Sequence, residues 1–289
     1  MRKVIDPIKT LLAVTTVAAG FLILEAQEAR AIDVCGNGIC ATTAVPPESC
    51  STCPADCGPC PPAVLVVNMI PFAQSAETGQ DSEPNLSVNP NNTQQIAGSA
   101  FTLNPTGATT TAPIFVSING GTTWTMNNIV PSGNGMTGDI TLRFGGSTNF
   151  LYTGTLRGGA GLTLNILRTS NFTAATLMTL LSSRGSVDQP FVQAATFSGA
   201  DRVYVGNNDF NAAGGRTATV DRTLSGTAAS PTFTSLRIET RTTCSQDGPP
   251  IRPAIHADGT VYGIFYRFRP PTCSSPFTTD VVVVRDDNG

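Results

Sequence analysis

Charged residues are scarce in this chain of 289 residues, since only 13% are Asp, Glu, Lys or Arg. The formal net charge of −3 and the mean hydropathy of +0.05 exclude an intrinsically disordered protein, which would be more charged and less apolar. A pI near 5.1 leaves no basic surplus for a nucleic acid. We therefore expect a folded protein that has no nucleic-acid partner.

Long apolar runs are also lacking, except for residues 11–24. This run follows a positively charged start and precedes the small-residue pattern Ala-Arg-Ala at 29–31, which is typical of a secretory signal peptide. It is shorter than the roughly 20 residues of a spanning helix, the alternative being an uncleaved anchor. We predict that residues 1–31 are removed, leaving a secreted, extracellular or periplasmic protein without a membrane span.

Cysteine is abundant only in the next segment, 32–60. Its six cysteines are Cys35, Cys40, Cys50, Cys53, Cys57 and Cys60. A segment this short buries little apolar surface, and exported thiols are normally oxidised, so we predict a small module with three disulfides. Six cysteines allow 15 pairings, among which the sequence cannot choose. The spacing resembles a cysteine-rich module found at the mature N-terminus of secreted bacterial proteins.

Metal binding is the alternative for this module. The pairs Cys50/Cys53 and Cys57/Cys60 have the C-x2-C form of zinc or iron-sulfur ligands, but they lie too close together for a usual zinc site. A calcium site would instead use the oxygen atoms of Asn37, Glu48 and Asp56. We expect no cofactor, with calcium as the one candidate.

The remaining cysteines, Cys244 and Cys273, lie far along the chain. Because the exported chain has an even number of cysteines, we predict a disulfide between them. A catalytic thiol would need a basic partner, and His256 is the single histidine.

A repeat occupies the rest of the chain. Proline or isoleucine followed by alternating apolar residues recurs near positions 84, 140, 190 and 253, and each start is followed by further β-rich runs separated by turns. Units of about 50 residues with four short strands are typical of a β-propeller. We predict an all-β fold: a linker at 61–80 and propeller units over 81–289, the fourth incomplete.

The sequence Ser117 to Trp124, S-I-N-G-G-T-T-W, resembles the Asp-box of sialidase-like, BNR-repeat propellers, with Asn119 in place of the usual Asp. The residues in register are Ser117, Asn119, Gly121, Thr123 and Trp124. The resemblance implies a structural turn and a sialidase-type fold, and says little about catalysis. Such propellers generally have six or more blades, so we expect a fragment of a longer product. The alternatives are closure by a partner chain or by a strand at 62–70.

Sialidases bind the substrate carboxylate with three arginines and use a tyrosine nucleophile. By resemblance, Arg252 is the one candidate arginine, and Tyr262 or Tyr266 would be the nucleophile. Asp258 is a further candidate catalytic residue. The positions equivalent to Arg252 hold Glu83, Asp139 and Gln189, so the arginine set cannot be traced.

Paired carboxylates offer a second catalytic possibility, as in many glycoside hydrolases. Strand starts converge on a propeller axis, so acids near the blade openings could surround one cavity; the alternative is that they cap turns. These acids are Asp81, Glu83, Asp139, Asp188 and Asp258.

Three function classes follow. We expect an extracellular binding or adhesion propeller for a carbohydrate or a protein ligand, without catalysis. The alternatives are a sialidase-type glycosidase and a non-functional fragment.

Overall fold

The computed structural model describes ten stretches of the chain. These are residues 34–43, 46–60, 64–70, 81–102, 111–131, 137–157, 162–211, 217–239, 251–268 and 278–289. The chain divides into two compact units, 1–65 and 66–289. The predicted signal peptide and the predicted Cys244–Cys273 disulfide lie outside the described residues. No helix among the described residues is long and apolar enough to cross a membrane.

The first unit contains the cysteine-rich module, and its six cysteines form three disulfides. The bridges are Cys35–Cys53, Cys40–Cys57 and Cys50–Cys60. One helical turn, α1 (Pro54–Cys57), begins with a proline, which has no N–H to leave unpaired at that position. Cross-links of this density give shape to a segment that is too short to form an apolar core.

The second unit consists of antiparallel sheets, each formed by strands that are consecutive in the chain. Sheet 1 contains β1 (Ser82–Val88), β2 (Ile96–Phe101), β3 (Thr111–Ser117) and β4 (Thr125–Pro131). Sheet 2 contains β5 (Ile140–Phe144), β6 (Leu151–Arg157), β7 (Thr163–Thr169) and β8 (Thr179–Gly185). Sheet 3 contains β9 (Val187–Phe197), β10 (Ala200–Asp209), β11 (Thr217–Thr223) and β12 (Thr234–Arg237). Sheet 4 has three strands in the described residues, β13 (Arg252–Ile255), β14 (Val261–Phe268) and β15 (Thr279–Asp286).

The sheets pack face to face in chain order, and the first strand of each sheet contacts the first strand of the next. Buried apolar residues fill the three intervals, represented by Leu142 between sheets 1 and 2, Val205 between sheets 2 and 3, and Ile251 between sheets 3 and 4. This is the radial arrangement of a β-propeller. The prediction of an all-β propeller is confirmed, and its fourth sheet has three strands among the described residues.

Polar contacts fix the spacing of the first strands. Asn85 Oδ1 on β1 accepts a hydrogen bond from the backbone N–H of Leu142 on β5, at 2.9 Å. Thr141 Oγ1 donates to the carbonyl of Pro190, at 3.0 Å, and accepts from the N–H of Val192, at 2.9 Å. Because each bond joins neighbouring sheets, the positions of the strand starts relative to one another are well determined.

The turn between β3 and β4 is held by the side chains of the Asp-box-like segment. Ser117 Oγ accepts from the N–H of Gly121 at 2.9 Å, and Asn119 Oδ1 accepts from the N–H of Thr123 at 3.0 Å. Trp124 Nε1 donates to the carbonyl of Gly121 at 3.0 Å, and its ring packs near Phe115 on sheet 1. These contacts give the segment a structural role in the hairpin.

The sequence also suggested a closing strand at 62–70. The described part of this segment, 64–70, is irregular and contains no strand. Met69 and Ile70 instead pack on the face of sheet 1 that carries Ala100 and Phe115. An irregular segment can cover this apolar face without hydrogen bonding to a sheet edge, which explains why the apolar pattern was misleading.

Candidate functional site

The propeller has a depression of about 330 Å³ where the first strands of the four sheets begin. We call this depression the mouth. Its polar lining comes from Glu83, Asn85, Asp139, Thr141, Gln189 and Arg252. Four of these residues, Glu83, Asp139, Gln189 and Arg252, precede the repeat starts at 84, 140, 190 and 253. The mouth is therefore formed by the same position of each repeat.

Two of these equivalent residues have unusual backbone angles. Glu83 has φ 51° and Gln189 has φ 50°, in the left-handed region that residues with a Cβ seldom adopt. Both precede a proline, which further favours an extended conformation for the preceding residue. The register of the pairing between β1 and β2 shifts between Ser82 and Asn85, the interval that contains Glu83. Strained backbone of this kind is often found at binding sites, where surrounding structure maintains it.

Among the residues that line the mouth, Asp139 has a strongly raised pKa. Burial raises its pKa first, and the negative charges of Glu83 and Asp188 raise it further, to about 6. Hydrogen bonds from its own backbone and from Gln189 act in the opposite direction. Asp139 can therefore hold a proton close to neutral pH, while the usual carboxylic acid is ionised.

Arg252 is the one arginine lining the mouth among the described residues. Its guanidinium carbon lies 4.5 Å from the centre of the Phe191 ring, in a cation–π arrangement. Within the described ranges the structure records no ion pair for Arg252. Two acidic side chains, Glu83 and Asp139, line the mouth together with this one basic side chain.

The structure does not bring Tyr262 and Asp258 to the mouth. Arg252 begins β13, whereas Asp258 lies in the hairpin after this strand, at least about 10 Å further along it. Hydrogen bonds from the Thr260 backbone and from His256 lower the pKa of Asp258 to about 2. Tyr262 lies on β14 opposite Ala254, near Arg285, and the exposed Asp81 precedes β1 without lining the mouth.

Sequence reasoning missed Asn85, Thr141 and Phe191 as mouth residues. Asn85 and Phe191 come directly after the prolines of their repeat starts, and Thr141 directly follows Ile140. The signal was therefore one of position: in the first three repeats, the residues on both sides of the repeat start line the same cavity. Composition alone gives no indication of this, because Asn and Thr are common throughout the chain.

No protein-family model and no curated protein sequence matches this chain. Solved structures do match. A GH93 α-L-arabinofuranosidase of Fusarium graminearum, in complex with arabinobiose, superposes with a TM-score of 0.51 at 13% identity, covering 72% of this chain and 63% of that one. An α-L-arabinanase of Penicillium chrysogenum, also with arabinobiose, gives a TM-score of 0.51 at 14% identity, with coverages of 72% and 63%.

These similarities establish the fold, because identities this low carry no residue-level correspondence. The solved neighbours are an α-L-arabinofuranosidase and an α-L-arabinanase, so the sialidase-like propeller expected from the sequence was a coarse match. The chain spans less than two thirds of the length of the structures it resembles. It has the propeller fold of known glycoside hydrolases, with a small disulfide-rich unit before it.

Proposed function

We propose that the protein is a secreted carbohydrate-binding propeller whose mouth accepts a neutral oligosaccharide. The observation that carries this proposal is the convergence of Glu83, Asp139, Gln189 and Arg252 in one depression. Carboxylates and amides accept and donate the hydrogen bonds that sugar hydroxyls require. Three disulfides in the first unit agree with export to an oxidising compartment.

The charge of the mouth supports a neutral ligand over an acidic sugar. A sialic acid or uronic acid would bring its carboxylate close to Glu83 and Asp139. One arginine, already stacked on Phe191, would have to offset that repulsion. Arabino-oligosaccharides, which are neutral, are a suitable first probe, because both solved neighbours described above contain arabinobiose.

Hydrolysis of the bound glycan is the second candidate function, and the raised pKa of Asp139 favours it. In this reaction Asp139 donates its proton to the glycosidic oxygen, and the bond between that oxygen and the anomeric carbon breaks. Water then adds to the anomeric carbon, and Glu83 accepts the proton that the water loses. A carboxyl group with a raised pKa beside a second carboxyl group suits this division of roles.

Calorimetric titration with arabino-oligosaccharides and with sialosides tests the binding proposal. We expect binding of the neutral series alone, weakened by at least about tenfold in Glu83→Ala because a charge-assisted hydrogen bond is lost. The matched control is Asp258→Asn, which alters an exposed acid outside the mouth and should leave the affinity unchanged. Preferential binding of sialosides, or binding of neutral sugars unaffected by Glu83→Ala, would contradict the proposal.

Product analysis on the same oligosaccharides separates binding from hydrolysis. If the mouth is catalytic, Asp139→Asn should lower kcat at least about 100-fold while the affinity remains within a few fold, since the amide cannot donate an acidic proton. Ligand binding without any released sugar in the unsubstituted protein would exclude hydrolysis and leave the binding function in place.

A further inference from the structure

The cysteine-rich module contains a buried acidic residue that the propeller function does not explain. Glu48 is only 7% exposed. Its Oε2 accepts a hydrogen bond from the backbone N–H of Ala41 at 3.0 Å. Its Oε1 is buried and has no hydrogen-bond partner. A buried carboxylate oxygen without a partner has lost its hydration and has no hydrogen bond to replace it, which is energetically unfavourable.

A second carboxylate lies beside it. Carboxylate oxygens of Glu48 and Asp56 are within 4.8 Å of one another, together with the sulfur atoms of Cys35 and Cys53. Two like charges this close repel each other unless a proton or a cation lies between them.

A shared proton is disfavoured by the surroundings of Asp56. Its two oxygens accept backbone hydrogen bonds from Gly36 at 2.7 Å, Gly38 at 2.9 Å and Asn37 at 3.2 Å. Backbone N–H groups that donate to a carboxyl stabilise its charged form over its protonated form. The geometry around Asp56 therefore favours a cation over a shared proton between the two carboxylates.

The module has no basic side chain to compensate this charge. Residues 32–60 contain three acidic residues, Asp33, Glu48 and Asp56, and no Lys, Arg or His. The nearest arginine in the sequence, Arg30, belongs to the predicted signal peptide. No side chain of residues 32–60 can therefore compensate the charge of these two carboxylates.

We propose that Glu48 and Asp56 bind a calcium ion. The sulfurs of Cys35 and Cys53 are joined in a disulfide, so neither offers the thiolate that zinc or an iron-sulfur cluster requires. Carboxylate oxygens without thiolates are the ligands that calcium prefers. Asn37, the third ligand suggested by the sequence, uses its Oδ1 to accept from the N–H of Ile39 at 2.8 Å. The remaining ligands are backbone carbonyls and water, which gives an affinity in the range of extracellular calcium modules, about 10⁻⁴ to 10⁻³ M.

The test is calcium titration of the mature, oxidised full chain by calorimetry, with native mass spectrometry to count the bound ions. We expect one ion per chain and a loss of affinity of at least about tenfold in Glu48→Gln, which keeps the shape of the side chain and removes its charge. Asp287→Asn is the matched control, because Asp287 is an exposed acid on the propeller, and we expect unchanged binding. Peptide mapping without reduction verifies that the three disulfides are intact in every variant.

Asp56→Asn provides a second variant if Glu48→Gln fails to form its disulfides, and we expect the same loss of affinity. The unsubstituted chain also gives a result by itself. No binding up to about 10 mM calcium would overturn the proposal. Wild-type affinity in a correctly bridged Glu48→Gln variant would overturn it as well, and so would binding that is lost when the mouth acids Glu83 and Asp139 are replaced by amides.

Discussion

At Asp139, burial and the two neighbouring carboxylates of Glu83 and Asp188 all raise the pKa of the carboxyl group. Its pKa of about 6 in the folded protein compares with about 3.9 in an unfolded chain. The protonated carboxyl therefore favours the folded state. This contribution to stability is complete below about pH 4 and is lost as the pH rises through about 6.

Asp139→Asn should remove this pH dependence. We expect the variant to be more stable than the unsubstituted protein above pH 6 by about 1 kcal/mol, because the side chain is partly exposed and solvent screening reduces the full effect of the shift. The difference should vanish near pH 4. Urea unfolding at several pH values measures it, and an equal difference at pH 4 and pH 8 would contradict the assignment of the raised pKa to Asp139.

At the scale of elements, the sheets approach one another closely where glycine lies on a strand. A Cβ added to Gly206 on β10 would lie 2.0 Å from the carbonyl oxygen of Ile251, just before β13. It would also meet the ring of Pro253 at 2.8 Å. The contact between sheets 3 and 4 thus depends on the absence of a side chain at this position.

Gly206→Ala should therefore destabilise the propeller by about 1 to 3 kcal/mol, the usual effect of overpacking against backbone that cannot move aside. Gly185→Ala is the control: its φ is not in the positive range, and its Cβ would meet only Thr163 Oγ1, at 4.0 Å. Denaturant unfolding of both variants tests this. Equal stability of the two would contradict the packing described for sheets 3 and 4.

At the scale of the whole molecule, sheet 4 has one apolar face that the described residues leave exposed. Large apolar side chains on this face include Ile264, at 45% exposed, with Val281 at 61% and Val283 at 63%. The opposite face, with Val282 and Val284, packs on sheet 3. In sheets 1 to 3 the equivalent face is covered by the next sheet, so the exposed face of sheet 4 favours association with other molecules.

The double substitution Val281→Lys with Val283→Lys should reduce self-association while leaving the melting temperature almost unchanged. Val282→Lys is the contrasting control, because it places a charge against sheet 3 and should destabilise the fold. Light scattering coupled to size-exclusion chromatography measures the association state. Identical association of the double variant and the unsubstituted protein would show that this face is not responsible.

The sequence allowed the fold class to be predicted because the repeat has a clear physical signal. Proline with alternating apolar residues marks the first strand of sheets 1, 3 and 4, and the turns between strands are rich in glycine and asparagine. The strand β8 (Thr179–Gly185) was not predicted, since its Thr and Ser residues and two adjacent leucines give it no alternating apolar pattern. The disulfide pairing could not be predicted either, because it depends on the path of the chain between bridges.

The candidate site was only partly predictable for a related reason. The equivalence of Glu83, Asp139, Gln189 and Arg252 followed from the repeat, and the structure brings them together. Asp81 and Asp258 appeared equally suitable from the sequence, but neither lines the mouth. A position near a strand start in the sequence does not determine whether the side chain lies at the mouth or at the other end of the strand.

The location of a bound sugar tests the central claim most directly. A crystal structure of the protein with arabinobiose or a longer neutral arabino-oligosaccharide should place the ligand in the mouth, with its hydroxyls hydrogen-bonded to Glu83, Asp139 and Gln189. A ligand bound elsewhere on the propeller, with the mouth holding only solvent, would contradict the account.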